Sequence, residues 1–129
     1  MSEPVRVLIV EDNGEARLSL RLLLEGWGYQ VEEAADGLEG ILKAAARRPD
    51  AAVLDLDVPI YDGFAVARRL RERYGEAVRL VALSGRDEPA LALDAGFDEH
   101  LLKPAGPEQL RRALRGLGRQ AQEGVRHVA

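Results

Sequence analysis

The sequence predicts an α/β fold, a single-domain, doubly wound parallel sheet of five strands with five helices packed on its two faces. Three observations predict it. Short apolar runs recur five times along the chain. Stretches with helical periodicity separate each run from the next. Gly, Asn and Pro punctuate the joins. Such alternation calls for parallel strands, because parallel neighbours need long right-handed crossovers and the helices supply them.

The elements follow in chain order. VRVLIV (residues 5–10) reads as the first strand, and Asn13 can cap a first helix whose Ala16, Leu20, Leu23 and Leu24 share a face until Gly26 and Gly28 stop it. YQVEEA (29–34) is a weaker strand and is expected at a sheet edge, followed by a helix from about 38 to 48. AAVLDL (51–56) is a third strand. The helix after it, residues 65–74, sets Val66 and Leu70 among basic residues. VRLVAL (78–83) precedes a short helix over 89–95 that Gly96 ends, and EHLLK (99–103) leads into a last helix opened by Pro107. There Leu110, Ala113, Leu114 and Leu117 form one stripe, with Arg111, Arg112 and Arg115 on the wet side. The core of the domain is expected over about 5–117 of the 1–129 chain, with 118–129 as a helical extension or tail.

Composition narrows the function. A chain of 129 residues suits one domain, and its 47% hydrophobic and 31% charged residues describe a globular protein. The net charge of −4 leaves no basic footprint, so direct nucleic-acid binding is not expected. There is no cysteine, which excludes disulfides and thiolate metal sites. No apolar run is long enough to cross a membrane, and MSEPVRV lacks a signal-peptide pattern, so a cytoplasmic, membrane-free domain is expected.

In open parallel sheets ligands bind beyond the carboxyl ends of the strands. Those ends carry Glu11-Asp12, Asp55, Ser84-Gly85 and Lys103-Pro104. The sheet would gather three carboxylates, a hydroxyl and an ammonium at one edge. Acids packed so closely raise one another's pKa unless a cation neutralises them, and the hard oxygen donors favour Mg²⁺, with Mn²⁺ as an alternative. Lys103, Ser84 and the Gly85 amide would then serve a phosphoryl group. Taken singly, each residue has a plainer reading: Asp12 as a helix cap, Ser84 as a turn residue, Lys-Pro as a loop signal.

Together the blocks VLIVEDN, VLDLDVPIYDG, VALSG and FDEHLLKP resemble, in order and separation, the receiver domain of two-component response regulators. The resemblance covers residues 5–117 and implies a flavodoxin-like sheet of order 2-1-3-4-5. It implies Asp55 as phosphoacceptor, and a metal held by Glu11, Asp12, Asp55 and the Asp57 backbone carbonyl. Ser84 and Gly85 would contact the phosphoryl group and Lys103 would pair with it, the Lys103-Pro104 bond often being cis in relatives. The implied partners are a sensor histidine kinase or phosphotransfer protein and a downstream protein target, with a homodimer through the fourth and fifth helices in many relatives. Such a domain is a signalling phosphoacceptor, not an enzyme. It stands alone or belongs to a longer chain such as a hybrid kinase.

The chain departs from the family's pattern at three positions. Asp57 puts an uncommon acid two residues after the implied acceptor, which raises a rim pair with Arg86 that tunes the phosphorylated lifetime against a solvated loop acid with no measurable effect. His100 stands where relatives place Tyr or Phe in the switch, which raises a pH-sensitive output against a passive, partly exposed histidine. Leu102 stands where Thr is frequent. Two rival readings remain. The stretch from Asp55 to Asp57 also resembles the signature of haloacid-dehalogenase-type phosphatases, although that motif belongs on a first strand. A receiver-like interaction module that never takes phosphate would lack the acceptor, the acid pair or the lysine, and none is missing.

Overall fold

A computed structural model describes residues 4–117; the expected extension over 118–129 lies outside them. Five parallel strands, β1 (Arg6–Val10), β2 (Gln30–Ala34), β3 (Ala51–Asp55), β4 (Arg79–Ser84) and β5 (Glu99–Leu102), form one sheet in the order β2-β1-β3-β4-β5. The helices are α1 (Gly14–Gly26), α2 (Gly37–Ala46), α3 (Gly63–Tyr74), α4 (Pro89–Asp94) and α5 (Pro107–Ala113). The weak second strand is an edge, as its mixed composition suggests.

Side chains alternate faces along a strand, and here that alternation divides the core in two. Leu8, Val10, Ala52, Leu54, Leu80 and Ala82 face the layer made with Val66 and Leu70 of α3 and Ala92 of α4. Val7, Ile9, Val53, Val81 and Leu83 face the layer made with Leu24 of α1 and Leu110 of α5. β1 and β3 are buried along their whole length, so their apolar runs read as continuous rather than alternating.

Helix starts follow local chemistry. Asn13, Asp36 and Asp62 cap α1, α2 and α3, their side chains accepting from the amides of Ala16, Glu39 and Ala65 at 2.9, 2.7 and 2.9 Å. Because Asp62 is the cap, α3 begins at Gly63, two residues before the expected start. α2 ends at Ala46, not at 48, since Arg48 precedes Pro49 and Arg47 is already extended. Gly75, at φ 59°, closes α3 and opens a 3-10 turn (Gly75–Ala77) that the sequence does not announce. α5 stops at Ala113, and residues 114–117 are turns.

Candidate functional site

The strand alternation, continued past the last residues of β1 and β5, carries Glu11, Asp55 and Lys103 to the face that α1 and α5 cover. They meet there. The Lys103 ammonium donates to Asp55 Oδ2 at 2.8 Å and to Glu11 Oε1 at 3.1 Å. One carboxylate oxygen from each of Glu11, Asp12 and Asp55 lies within 4.8 Å of the others. Glu11 and Asp55 are almost fully buried, whereas Asp12 is exposed at the rim. The donor set is all carboxylate oxygen, with one exposed member leaving room for water, which fits a hard divalent cation such as Mg²⁺.

Backbone groups fix these side chains. The Asp57 amide donates to Asp55 Oδ1 at 3.0 Å, and the Asn13 amide to Glu11 Oε2 at 3.1 Å. Gly63 allows the start of α3 to approach β3, since a Cβ there would lie 2.6 Å from the Asp55 carbonyl oxygen. Between them Ile60 adopts φ 74°, a left-handed conformation that β-branched residues seldom take. Gly37 is equally constrained, because a Cβ would sit 1.7 Å from the Tyr61 carbonyl. The loop after Asp55 is thus clamped between α2 and α3.

Burial pushes the Glu11 carboxyl up from its ordinary 4.5; the Asn13 amide and Lys103 oppose this, and the charge of Asp55 adds to it. Burial would lower Lys103, but its bonds to Asp55 and Glu11 outweigh that and hold the ammonium above its ordinary 10.5. Two carboxylates and one ammonium leave the buried part of the site with an excess negative charge.

The other expected residues lie close by. Ser84 is fully buried at the end of β4, its Oγ accepting from the Arg86 amide at 3.0 Å, with Gly85 in the bend between them. Lys103 donates its own amide to the Ser84 carbonyl at 2.8 Å, and the Lys103-Pro104 bond is cis. Arg86 Nη2 reaches Asp57 Oδ1 at 3.3 Å with both side chains mostly exposed, so the expected rim pair is formed. His100 pairs with Ala82 across β4 and β5; its Nε2 is buried with no hydrogen-bond partner among the described residues. Leu102, beside it, is half exposed. Sequence reasoning missed Arg17, whose Nη1 donates to the Glu11 carbonyl at 2.8 Å. Its position one turn into α1, after the cap, was the available signal.

The sheet order and the acid-ammonium cluster at its carboxyl edge define a domain of the receiver type. Residues 7–115 match the family described as response regulator receiver domain, and the chain belongs to it. It is a receiver domain of the kind found in response regulators of two-component signalling. Response regulator MprA of Mycobacterium sp. strain KMS is 43% identical over 120 residues, covering 91% of this chain and 52% of that protein. The chain thus spans about half the length of the curated relatives it matches. A CheY-like receiver domain protein from Methanospirillum hungatei JF-1 superposes with a TM-score of 0.85 at 26% identity, covering 94% of this chain and 99% of that one. The receiver domain of the sensor histidine kinase PA1611 from Pseudomonas aeruginosa PAO1, solved with a magnesium ion in its active-site cleft, gives 0.79 at 29%, covering 90% and 99%. None of these similarities supports the phosphatase alternative. No helix among the described residues is long and apolar enough to cross a membrane.

Proposed function

We propose that this receiver accepts a phosphoryl group on Asp55 from the phosphohistidine of a sensor kinase or phosphotransfer protein, and that the modification switches its surface for a downstream protein. One observation carries the reading: a buried carboxylate is held by a lysine that also bridges to a second buried acid. Asp55 Oδ1 is oriented by the Asp57 amide. In the transfer a carboxylate oxygen attacks phosphorus, the nitrogen–phosphorus bond breaks, and the donor imidazole leaves with its electron pair. Lys103 follows the charge on the phosphoryl oxygens, and the Ser84 hydroxyl and Gly85 amide donate to them; such positioning and electrostatics supply most of the catalysis. Glu11, Asp12, Asp55 and the Asp57 carbonyl would hold Mg²⁺, or Mn²⁺, whose charge neutralises those oxygens when bound. Water later removes the group, and the domain turns over no substrate of its own.

His100 shares the α4-facing side of the sheet with Ser84, and in the switch it follows the serine inward. Asp57 and Arg86 act as modulators of the lifetime. The domain works in the cytoplasm without membrane or nucleic acid, as one domain over 1–129 that stands alone or serves a longer protein, with a homodimer through α4 and α5. The test is incubation with Mg²⁺ and acetyl phosphate followed by intact and peptide mass measurement. One phosphoryl adduct is expected, lost with a chelator or Asp55→Asn and kept in Asp57→Asn. An intact fold with no adduct would leave an interaction module, and rapid multiple turnover lost with either aspartate would leave a phosphatase.

A further inference from the structure

Beside the acceptor a cleft of about 510 Å³ opens between α1 and α5. Leu20 and Leu23 of α1 form one wall and Leu110 of α5 the other, and Leu83 of β4 is the floor. The small Ala16 and the exposed Ser19 of α1 also line it, and Glu11 and Lys103 supply its charged groups. Its volume falls within the range of small-molecule pockets, and such pockets combine apolar walls with a few polar groups at one end. None of its apolar residues takes part in the chemistry proposed above. Asp55 itself does not line the cleft, but Lys103 does, and its ammonium joins the cleft to the acceptor by donating to Asp55 and Glu11.

A ligand that fills this shape has a phosphoryl group at the lysine and a short unbranched hydrocarbon tail. We infer that the cleft seats the acyl chain of small acyl phosphates and makes donors of four to six carbons better substrates than acetyl phosphate. The inference rests on the phosphoacceptor reading. The step is balanced: an Asp55 oxygen attacks phosphorus, the bond from phosphorus to the acyl oxygen breaks, and the carboxylate leaves with the electron pair without net proton transfer. The leaving carboxylates of straight-chain acids differ little in basicity, so intrinsic reactivity is nearly constant along the series. Any gain with chain length then reports binding of the tail. Full burial of two methylenes would give about tenfold, and an open cleft should give about threefold for each two carbons.

The test measures adduct formation by intact mass, under Mg²⁺ and at donor concentrations below saturation, for acetyl, butyryl and hexanoyl phosphate. Wild type is compared with Ala16→Leu and Ser19→Leu, which narrow the cleft with a residue of good helix propensity, and thermal melting confirms that each folds. The expected result is a rate that climbs along the series in wild type and is flat in both variants, with the acetyl rate unchanged. Equal rates for all three donors in wild type would overturn the inference while leaving Asp55 as acceptor. A climb that survives both variants, or an equal loss for every donor, would overturn the location. No adduct from any donor would remove the phosphoacceptor reading and the inference with it.

Discussion

The two ends of the sheet are built on opposite electrostatic plans. At the amino end the charges nearest the strands meet fixed partners. Arg71 donates to the carbonyls of Gly96, Gly75 and Val78 at 2.9, 2.7 and 2.7 Å and to Asp98 at 2.7 Å. Arg6 donates to the Arg48 carbonyl and Arg79 to those of Ala113 and Arg115. Asp50 and Asp98 accept from the amides of Arg6 and Leu80, each at 2.8 Å. At the carboxyl end three acids cluster, and one ammonium reaches two of them. The first arrangement is complete in itself. The second leaves carboxylates in excess of the ammonium, which fits a hard cation and marks it as a site and not a brace.

Breaking the brace should have the largest effect on stability. Arg71→Ala removes four hydrogen bonds, three of them to backbone carbonyls, and leaves the exposed Asp98 without its cation, so a loss of about 3 kcal/mol is expected. The loss should be the same with Mg²⁺ or with chelator, as urea midpoints in the two conditions would show. A loss that Mg²⁺ repaired would mean that the two ends are not independent.

The same substitution made at the site should behave differently. Lys103→Met leaves Glu11 and Asp55 facing each other with no cation between them, at a cost of about 2 kcal/mol, below the range for fully buried pairs because the lysine is 35% exposed. The sign follows from its raised pKa: the lysine's contribution is complete below 10.5 and fades only as pH rises beyond that. Unlike the Arg71 case, added Mg²⁺ should recover much of the loss, since ligand binding to the native state adds about 2.7 kcal/mol at a hundred times its Kd. Thermal melts with and without Mg²⁺ separate the two variants.

This contrast also explains what could be read from the sequence. The five strands, the helix faces and the site acids were legible because each depends on local pattern: apolar runs, spacing, and residue type at a strand end. Val53 to Asp55 marks both a buried strand and where it opens to ligand. The Arg71 brace was not legible, because three of its four partners are carbonyls, from the turn at 75–78 and from Gly96, and carbonyls carry no sequence signal. The 3-10 turn at Gly75 was missed for a related reason. Gly75 reads as a helix stop, and only the Arg71 bonds to Gly75 and Val78 show why the chain coils once more before β4. His100 fell between the two: its place on β5 was predicted, but its unpartnered buried Nε2 depends on α4 and β4 packing around it.

A smaller effect should come from Glu11→Gln, and it should be stabilising in chelator. Burial raises the Glu11 pKa, so the native state binds more protons than the unfolded chain just above 4.5, and the group's contribution to stability is lost as pH rises through its folded value. Glutamine removes the charge but keeps a single acceptor oxygen, which can serve the Asn13 amide or the Lys103 ammonium and not both. A gain of no more than about 1 kcal/mol is expected at neutral pH. It should vanish below pH 4.5, where Glu11 is protonated anyway, and be reversed by Mg²⁺. A pH series of urea midpoints with and without the metal tests all three.

The smallest stability effect belongs to the pair that joins neither plan. Asp57 and Arg86 meet at 3.3 Å with side chains 59% and 63% exposed, and exposed pairs contribute about 0.2–1 kcal/mol at most. Arg86→Ala and Asp57→Asn should therefore leave melting within about 0.5 kcal/mol of wild type. Their effect belongs in kinetics. The pair spans from the loop after Asp55 to the residue whose amide bonds to Ser84 Oγ. Opening it should change autodephosphorylation in both variants by a similar factor, and the double variant should add little to either single one. Unchanged rates in both would reduce the pair to solvated surface charge.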